Sequence, residues 1–169
     1  TKDLASKGGY LFAWMMDALM VGIGVGFDTL GAGTITITEP QWTNDIHMIE
    51  DSREGWVNSV HLLLDGFFMG KKVPQFDYSL IRKMGEPIRG FGGTASGADP
   101  LIELHNNLKE LFTPRVGEEI TSVDIVDTEN LIGRCVVAGN VRRSAALALG
   151  QHDDKEYLTM KNDEEKLYH

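Results

Sequence analysis

Arginine and glycine meet twice in this sequence in the way an anion-binding loop requires. The first place is Ile81-Arg82-Lys83-Met84-Gly85-Glu86-Pro87-Ile88-Arg89-Gly90, which mixes cations with a turn. The second is Gly139-Asn140-Val141-Arg142-Arg143-Ser144-Ala145, which sets two arginines beside a run of small residues. Arginine donates in a planar fork that matches phosphate oxygens, and glycine lets backbone N–H groups reach the same anion. The chain is otherwise acidic, with a net charge of −9. That balance argues against a nucleic-acid polymer, which needs a broad basic face. Local cationic loops on an anionic chain suit a small phosphorylated ligand. Solvated surface charge and generic turn chemistry are the plainer readings of either loop taken alone.

Other chemistry is weaker. Gly22, Gly24 and Gly26 alternate with large apolar residues, but a dinucleotide fingerprint needs its third glycine where Phe27 stands. It also needs a strand before the glycines and a helix after them, the reverse of the expected order here. His47, His61, His105, His152 and His169 are scattered without metal-ligand spacing, so no metal site is expected. Cys135, the one cysteine, excludes an internal disulfide and fits a reducing, cytoplasmic compartment. With no acid or histidine placed to activate it, Cys135 reads as a buried structural thiol. No residue is assigned a catalytic role.

These loops need elements to hold them. A length of 169 residues with 42% hydrophobic and 24% charged residues is enough for a real core. A helix is expected from about Gly9 to Met20, with Tyr10, Leu11, Trp14, Met15 and Ala18 at helical spacing. Residues 21–27 alternate as a strand with one bare face, and Thr34–Thr38 reads as a better, β-branched strand. A second helix should follow Ser52 and end at Gly70 to Pro74, and a third should run from about Pro100 to Phe112. A fourth is expected from about Thr128, capped by Asp127 or Thr128. Ser144–Leu149 can be a strand, and Asp153–Met160 a short last helix. Mixed strands and helices without repeats define the α/β class. The apolar run near the start is broken by Asp17 and by glycines, so no membrane span is expected. The chain opens on Thr1 without an initiator Met or signal peptide, as a piece of something longer would.

Four segments, in order, carry a resemblance that covers nearly the whole chain. They are Gly24-Val25-Gly26-Phe27-Asp28-Thr29, residues 49–56 (Ile49 to Trp56), residues 87–97 (Pro87 to Gly97) and residues 136–145 (Val136 to Ala145). Together they resemble the monomeric, adenosylcobalamin-dependent ribonucleotide reductases. The first and third resemble reductases more widely; the Arg-Glu-Gly-Trp and Gly-Asn-Val-Arg-Arg-Ser pieces point to the monomeric branch. Ala98-Asp99-Pro100 departs from the pattern, in which a proline directly follows Gly97.

The resemblance implies a share of a ten-stranded α/β barrel with a helical insertion. It divides the chain into a barrel segment over 1–38, an effector loop and helical insertion over 39–126, and a second barrel segment with a specificity loop over 127–169. Residues from about Glu39 to Leu80, with the third helix, resemble the insertion by which a monomer imitates the subunit contact of dimeric reductases. By residue-level match, Arg82 and Lys83 fall in the loop that holds a deoxynucleoside triphosphate effector. Gly139, Asn140, Val141, Arg142, Arg143 and Ser144 match the loop that relays effector identity to the substrate base. Asp3 resembles the acidic residue on the effector sugar. The family's Asn-x-Cys-x-Glu radical site, its redox cysteine pair and its C-terminal cysteines have no counterpart in the sequence, so Cys135 inherits no role. Adenosylcobalamin as radical source and a thioredoxin-type protein as reductant are implied for the parent. The same region of a dimeric or di-iron reductase, and a stand-alone nucleotide-binding module, are the competing readings.

Overall fold

A computed structural model describes residues 1–88, 93–138 and 145–160. The order of elements is α1 (Leu4–Lys7), α2 (Tyr10–Met20), β1 (Val25–Asp28), β2 (Gln41–Met48), α3 (Arg53–Met69), β3 (Lys72–Asp77), α4 (Asp99–Phe112), a 3-10 turn (Thr113–Arg115), α5 (Ser122–Val137), β4 (Ala146–Leu149) and α6 (Lys155–Thr159). The class is α/β, as expected. Among the described residues the strands form two separate parallel pairs, β1 with β4 and β2 with β3.

Four helices build the core. α2 packs on α3 and α5, and α4 on α3 and α5. Phe12, Phe68, Phe112 and Phe67 meet in a chain of rings with centroids 5.5, 5.1 and 5.6 Å apart. Such pairs add to the area the rings bury. The buried side of α2 is Phe12, Met15, Met16 and Leu19. Tyr10 and Trp14, expected on its apolar face, are 49% and 53% exposed. An almost wholly apolar helix carries more than one candidate stripe, and the neighbours decide which is buried.

α3 keeps both expected ends. The Ser52 hydroxyl accepts from the Gly55 N–H at 3.0 Å, and Gly70 closes the helix in the left-handed region at φ 63°. Within it, a Cβ on Gly66 would lie 2.3 Å from the Val73 side chain, so glycine is what lets β3 pack there. β2, α3 and β3 form a β–α–β unit, since parallel neighbours need a crossover. The ladder shifts between Trp42 and Ile46, across from Pro74, which has no N–H to donate.

Three expectations are corrected. Residues 21–24 form a turn, and only Val25–Asp28 is strand. Thr34–Thr38 is not a strand: it makes one antiparallel bridge, Thr36 to Glu119. It lies along residues 117–120 with Ile37 and Ile120 buried, so its β-branched side chains serve packing without a full ladder. α5 begins six residues early. Thr121 caps it, accepting from the Asp124 N–H at 3.2 Å while Asp124 accepts from the Thr121 N–H at 2.7 Å. Thr128, the expected cap, is buried within the helix, its hydroxyl donating to the Asp124 carbonyl at 2.7 Å. None of the described helices is long and apolar enough to cross a membrane.

Candidate functional site: an arginine cleft at the start of α3

The route to Arg82 starts in the core. His105 on α4 is fully buried, with Nε2 3.1 Å from the Ser59 hydroxyl and Nδ1 2.7 Å from the Tyr78 hydroxyl. Burial, with Lys109 nearby as a smaller cause, pushes the imidazole down to about 3, so the ring is neutral at pH 7. Burial likewise raises the Tyr78 phenol to about 12. Phe76 stacks on the ring at 4.6 Å. The Asp77 carboxylate accepts from the Ser79 N–H at 2.8 Å and turns the chain out of β3. The Ile81 N–H then donates to the Tyr78 carbonyl at 3.0 Å, and the Ile81 side chain is buried. Arg82 is therefore delivered by an anchored turn.

Beyond it the chain doubles back. The Gly85 N–H donates to the Ala95 carbonyl at 2.9 Å, Ala95 to Glu86 at 2.7 Å and Ile88 to Gly93 at 3.0 Å. Arg82 reaches the turn that precedes α3, where its Nε donates to Asp51 Oδ2 at 2.6 Å, and its Nη1 donates to the Pro87 carbonyl of its own loop at 3.4 Å. A cleft of about 140 Å³ opens there, lined by Asp51, Ser52, Arg53, Trp56, Arg82 and Ser96 among others. Arg53 pairs with Glu54 at 2.8 Å and with Asp17 on α2 at 3.2 Å. Its hydrogen bond to Glu54, and the Asp17 charge next, raise its pKa. The cleft combines two guanidinium groups, two hydroxyls and the positive end of a 17-residue helix. Those are the donors an anion needs.

Of the residues singled out from sequence, Arg82 lies in this cleft. Lys83 is exposed beside it and is not part of the lining. Asp3 is exposed at the start of α1, 3.8 Å from Lys7, and no contact joins it to Arg82. Gly139, Asn140, Val141, Arg142, Arg143, Ser144 and Arg89 lie outside the described residues. Cys135 is buried on α5, as expected of a structural thiol. Asp51, Ser52, Arg53 and Ser96 carried no site assignment from sequence. The available signal was a serine cap followed by arginine, but no local pattern says which distant cation such a cap will face.

Comparison with known proteins follows the same lines. A family described as "B12-dependent ribonucleotide reductase, insertion domain" matches residues 29–112, which include Asp51, Arg53, Arg82 and Ser96. The chain is 46% identical to a probable adenosylcobalamin-dependent ribonucleoside-triphosphate reductase of Dictyostelium discoideum, over 96% of this chain and 24% of that protein. It is 47% identical to the adenosylcobalamin-dependent ribonucleoside-triphosphate reductase of Euglena gracilis, over 90% of this chain and 21% of that protein. A crystal structure of a B12-dependent (class II) ribonucleotide reductase superposes with a TM-score of 0.77 at 33% identity, over 94% of this chain and 27% of that one. The chain thus spans about a quarter of the length of these relatives. Sequence and fold agree across almost all of its residues, and the chain belongs to the B12-dependent ribonucleotide reductase family.

Proposed function

We propose that this chain is the insertion and effector-reading region of an enzyme that reduces ribonucleoside triphosphates to deoxyribonucleoside triphosphates. The observation that carries the reading is the cleft in which Arg82 faces the capped start of α3, within the matched insertion domain. Arg82, with Lys83 beside it, holds the phosphates of a deoxynucleotide effector. Asp3 contacts the effector sugar, and residues 139–144, with Arg142 and Arg143, relay the identity of the effector base. A differential affinity of about 1–3 kcal/mol between two arrangements of such a loop is enough to change substrate preference.

The wider assignment follows the family. Residues 1–38 and 127–169 contribute to a ten-stranded barrel, and 39–126 form the effector loop and insertion. The parent is a cytoplasmic monomer that replaces the 2′-hydroxyl by thiyl-radical chemistry and draws electrons from a thioredoxin-type protein. The relatives are named as adenosylcobalamin-dependent, and in this reading that cofactor would supply the radical. The clefts at Arg82, about 140 Å³ and, on its outer side, about 360 Å³, do not match a group as large as a corrin. Neither cleft fits that cofactor. Their task is binding: the guanidinium and helix terminus orient phosphate, and the cleft's small volume leaves sugar and base outside it.

Calorimetry of the complete protein with each deoxynucleoside triphosphate tests the reading. A charge-assisted hydrogen bond contributes about 1.5–3 kcal/mol. Arg82→Ala should therefore weaken effector binding by roughly ten- to a hundredfold. Arg142→Ala should change substrate preference under a given effector. Unchanged affinity and preference in both variants would remove the assignment.

A further inference from the structure

Two guanidinium groups line the cleft, but they are held differently. Arg53 has two carboxylates, Glu54 at 2.8 Å and Asp17 at 3.2 Å. Among the described residues Arg82 has one, Asp51, bound through Nε at 2.6 Å. Arginine carries five N–H donors in one plane, and those on the two terminal nitrogens form the edge that grips a phosphate with two parallel bonds. A carboxylate on Nε fixes the plane of the group and leaves that edge available. The Pro87 carbonyl takes part of Nη1 at 3.4 Å, a long contact that a phosphate oxygen can outcompete. Asp51 is itself fixed, since it immediately precedes the Ser52 cap, whose hydroxyl is bound to the Gly55 N–H at 3.0 Å. The pair is only about one-third exposed, with side chains at 30% and 31%, so water screens it incompletely.

We infer that Asp51 is a positioning residue of the phosphate site: it holds the Arg82 guanidinium by Nε so that the terminal edge meets the phosphate. The inference rests on the effector reading above and extends it to a residue of opposite charge, which an anion site would be expected to exclude. It also predicts that Arg82→Lys will not restore binding, because an ammonium cannot be held at one nitrogen and present two others in a plane.

The test is a double-mutant cycle in the complete protein, titrated with dATP, dGTP, dCTP and dTTP in turn and with inorganic tripolyphosphate. Asp51→Asn should weaken binding about tenfold, and Asp51→Glu should recover most of the loss. In an Arg82→Ala background, Asp51→Asn should change affinity by less than about twofold. Thermal unfolding of each variant identifies any that fails to fold, and Asp51→Ala carries the comparison if Asp51→Asn does. Equal or tighter binding by Asp51→Asn would overturn the inference, because Asp51 would then merely compete for Arg82. Equal weakening in both backgrounds would also overturn it, because Asp51 would be acting on α3 and not through Arg82. The underlying effector reading is judged separately, by wild type against Arg82→Ala, both with Asp51 intact. If these bind every probe alike, that reading and this inference both fall.

Discussion

The β2–α3–β3 unit with α4, and the β1–β4 pair with α5, treat their polar and apolar groups in opposite ways. In the first, both nitrogens of the buried His105 have partners, and buried Asp65 accepts from the Gly9 N–H at 2.8 Å and from Lys71 at 2.7 Å. In the second, Glu129 is 3% exposed, its Oε2 has no hydrogen-bond partner among the described residues, and burial raises its pKa. Leu147 and Leu149 on β4 are 63% and 57% exposed. Parallel strands are normally covered on both faces, and a two-stranded pair is marginal alone. The first region closes its aromatic core and pairs its buried histidine and aspartate, although Ile46 on the outer face of its own strand pair is 68% exposed. The second leaves Leu147 and Leu149 uncovered, as the proposed barrel, in which further strands would lie beside this pair, requires.

The contrast can be broken in three ways. The largest effect should come from the closed region: Phe112→Ala removes the ring that touches Phe67 and Phe68, at a cost of about 3–5 kcal/mol in urea unfolding of this chain. A loss below about 1 kcal/mol would mean that the aromatic cluster is not the core.

Acid should act on the same region. His105 is neutral in the fold because its pKa is depressed to about 3, whereas the unfolded chain takes up a proton below 6.5. The unfolded state then binds more protons, so stability falls as pH drops from 6.5 towards 3, by roughly 2–4 kcal/mol. Urea midpoints across that range should show the slope, and His105→Asn should flatten it. An unchanged slope in the variant would assign the acid sensitivity to other groups.

The smallest effect in this chain should come from the open region. Leu147→Ala should shift stability here by no more than about 0.5 kcal/mol. In the complete protein, where the barrel would cover the residue, the cost should rise to about 2 kcal/mol or more. Equal, small costs in both would contradict the covered sheet.

The same division governs what the sequence could disclose. The ends of α3 were legible because Ser52 and Gly70 are local stop and start chemistry, and α4 because Pro100 sits in its first turn. β2 was not: its side chains are mostly exposed, so Gln41–Met48 carries no clean alternation of apolar and polar residues. Thr34–Thr38 looked like a strand from its β-branching, yet strand pairing depends on a partner that local composition cannot supply. The start of α5 is open to reading, since Thr121 and Asp124 stand three apart, but Asp127 and Thr128 offer the same cap chemistry a few residues on and nothing local chooses between them. At the site, Arg82 stood out through its glycine-flanked loop. Asp51 did not, because its role depends on a contact made across 31 positions of sequence.

A crystal structure of the complete protein with a bound deoxynucleoside triphosphate decides whether the Arg82 cleft receives nucleotide phosphate. Phosphate oxygens should lie about 2.7–2.9 Å from the terminal nitrogens of Arg82, with Asp51 still on Nε. A triphosphate bound elsewhere, out of reach of Arg82, would contradict that placement.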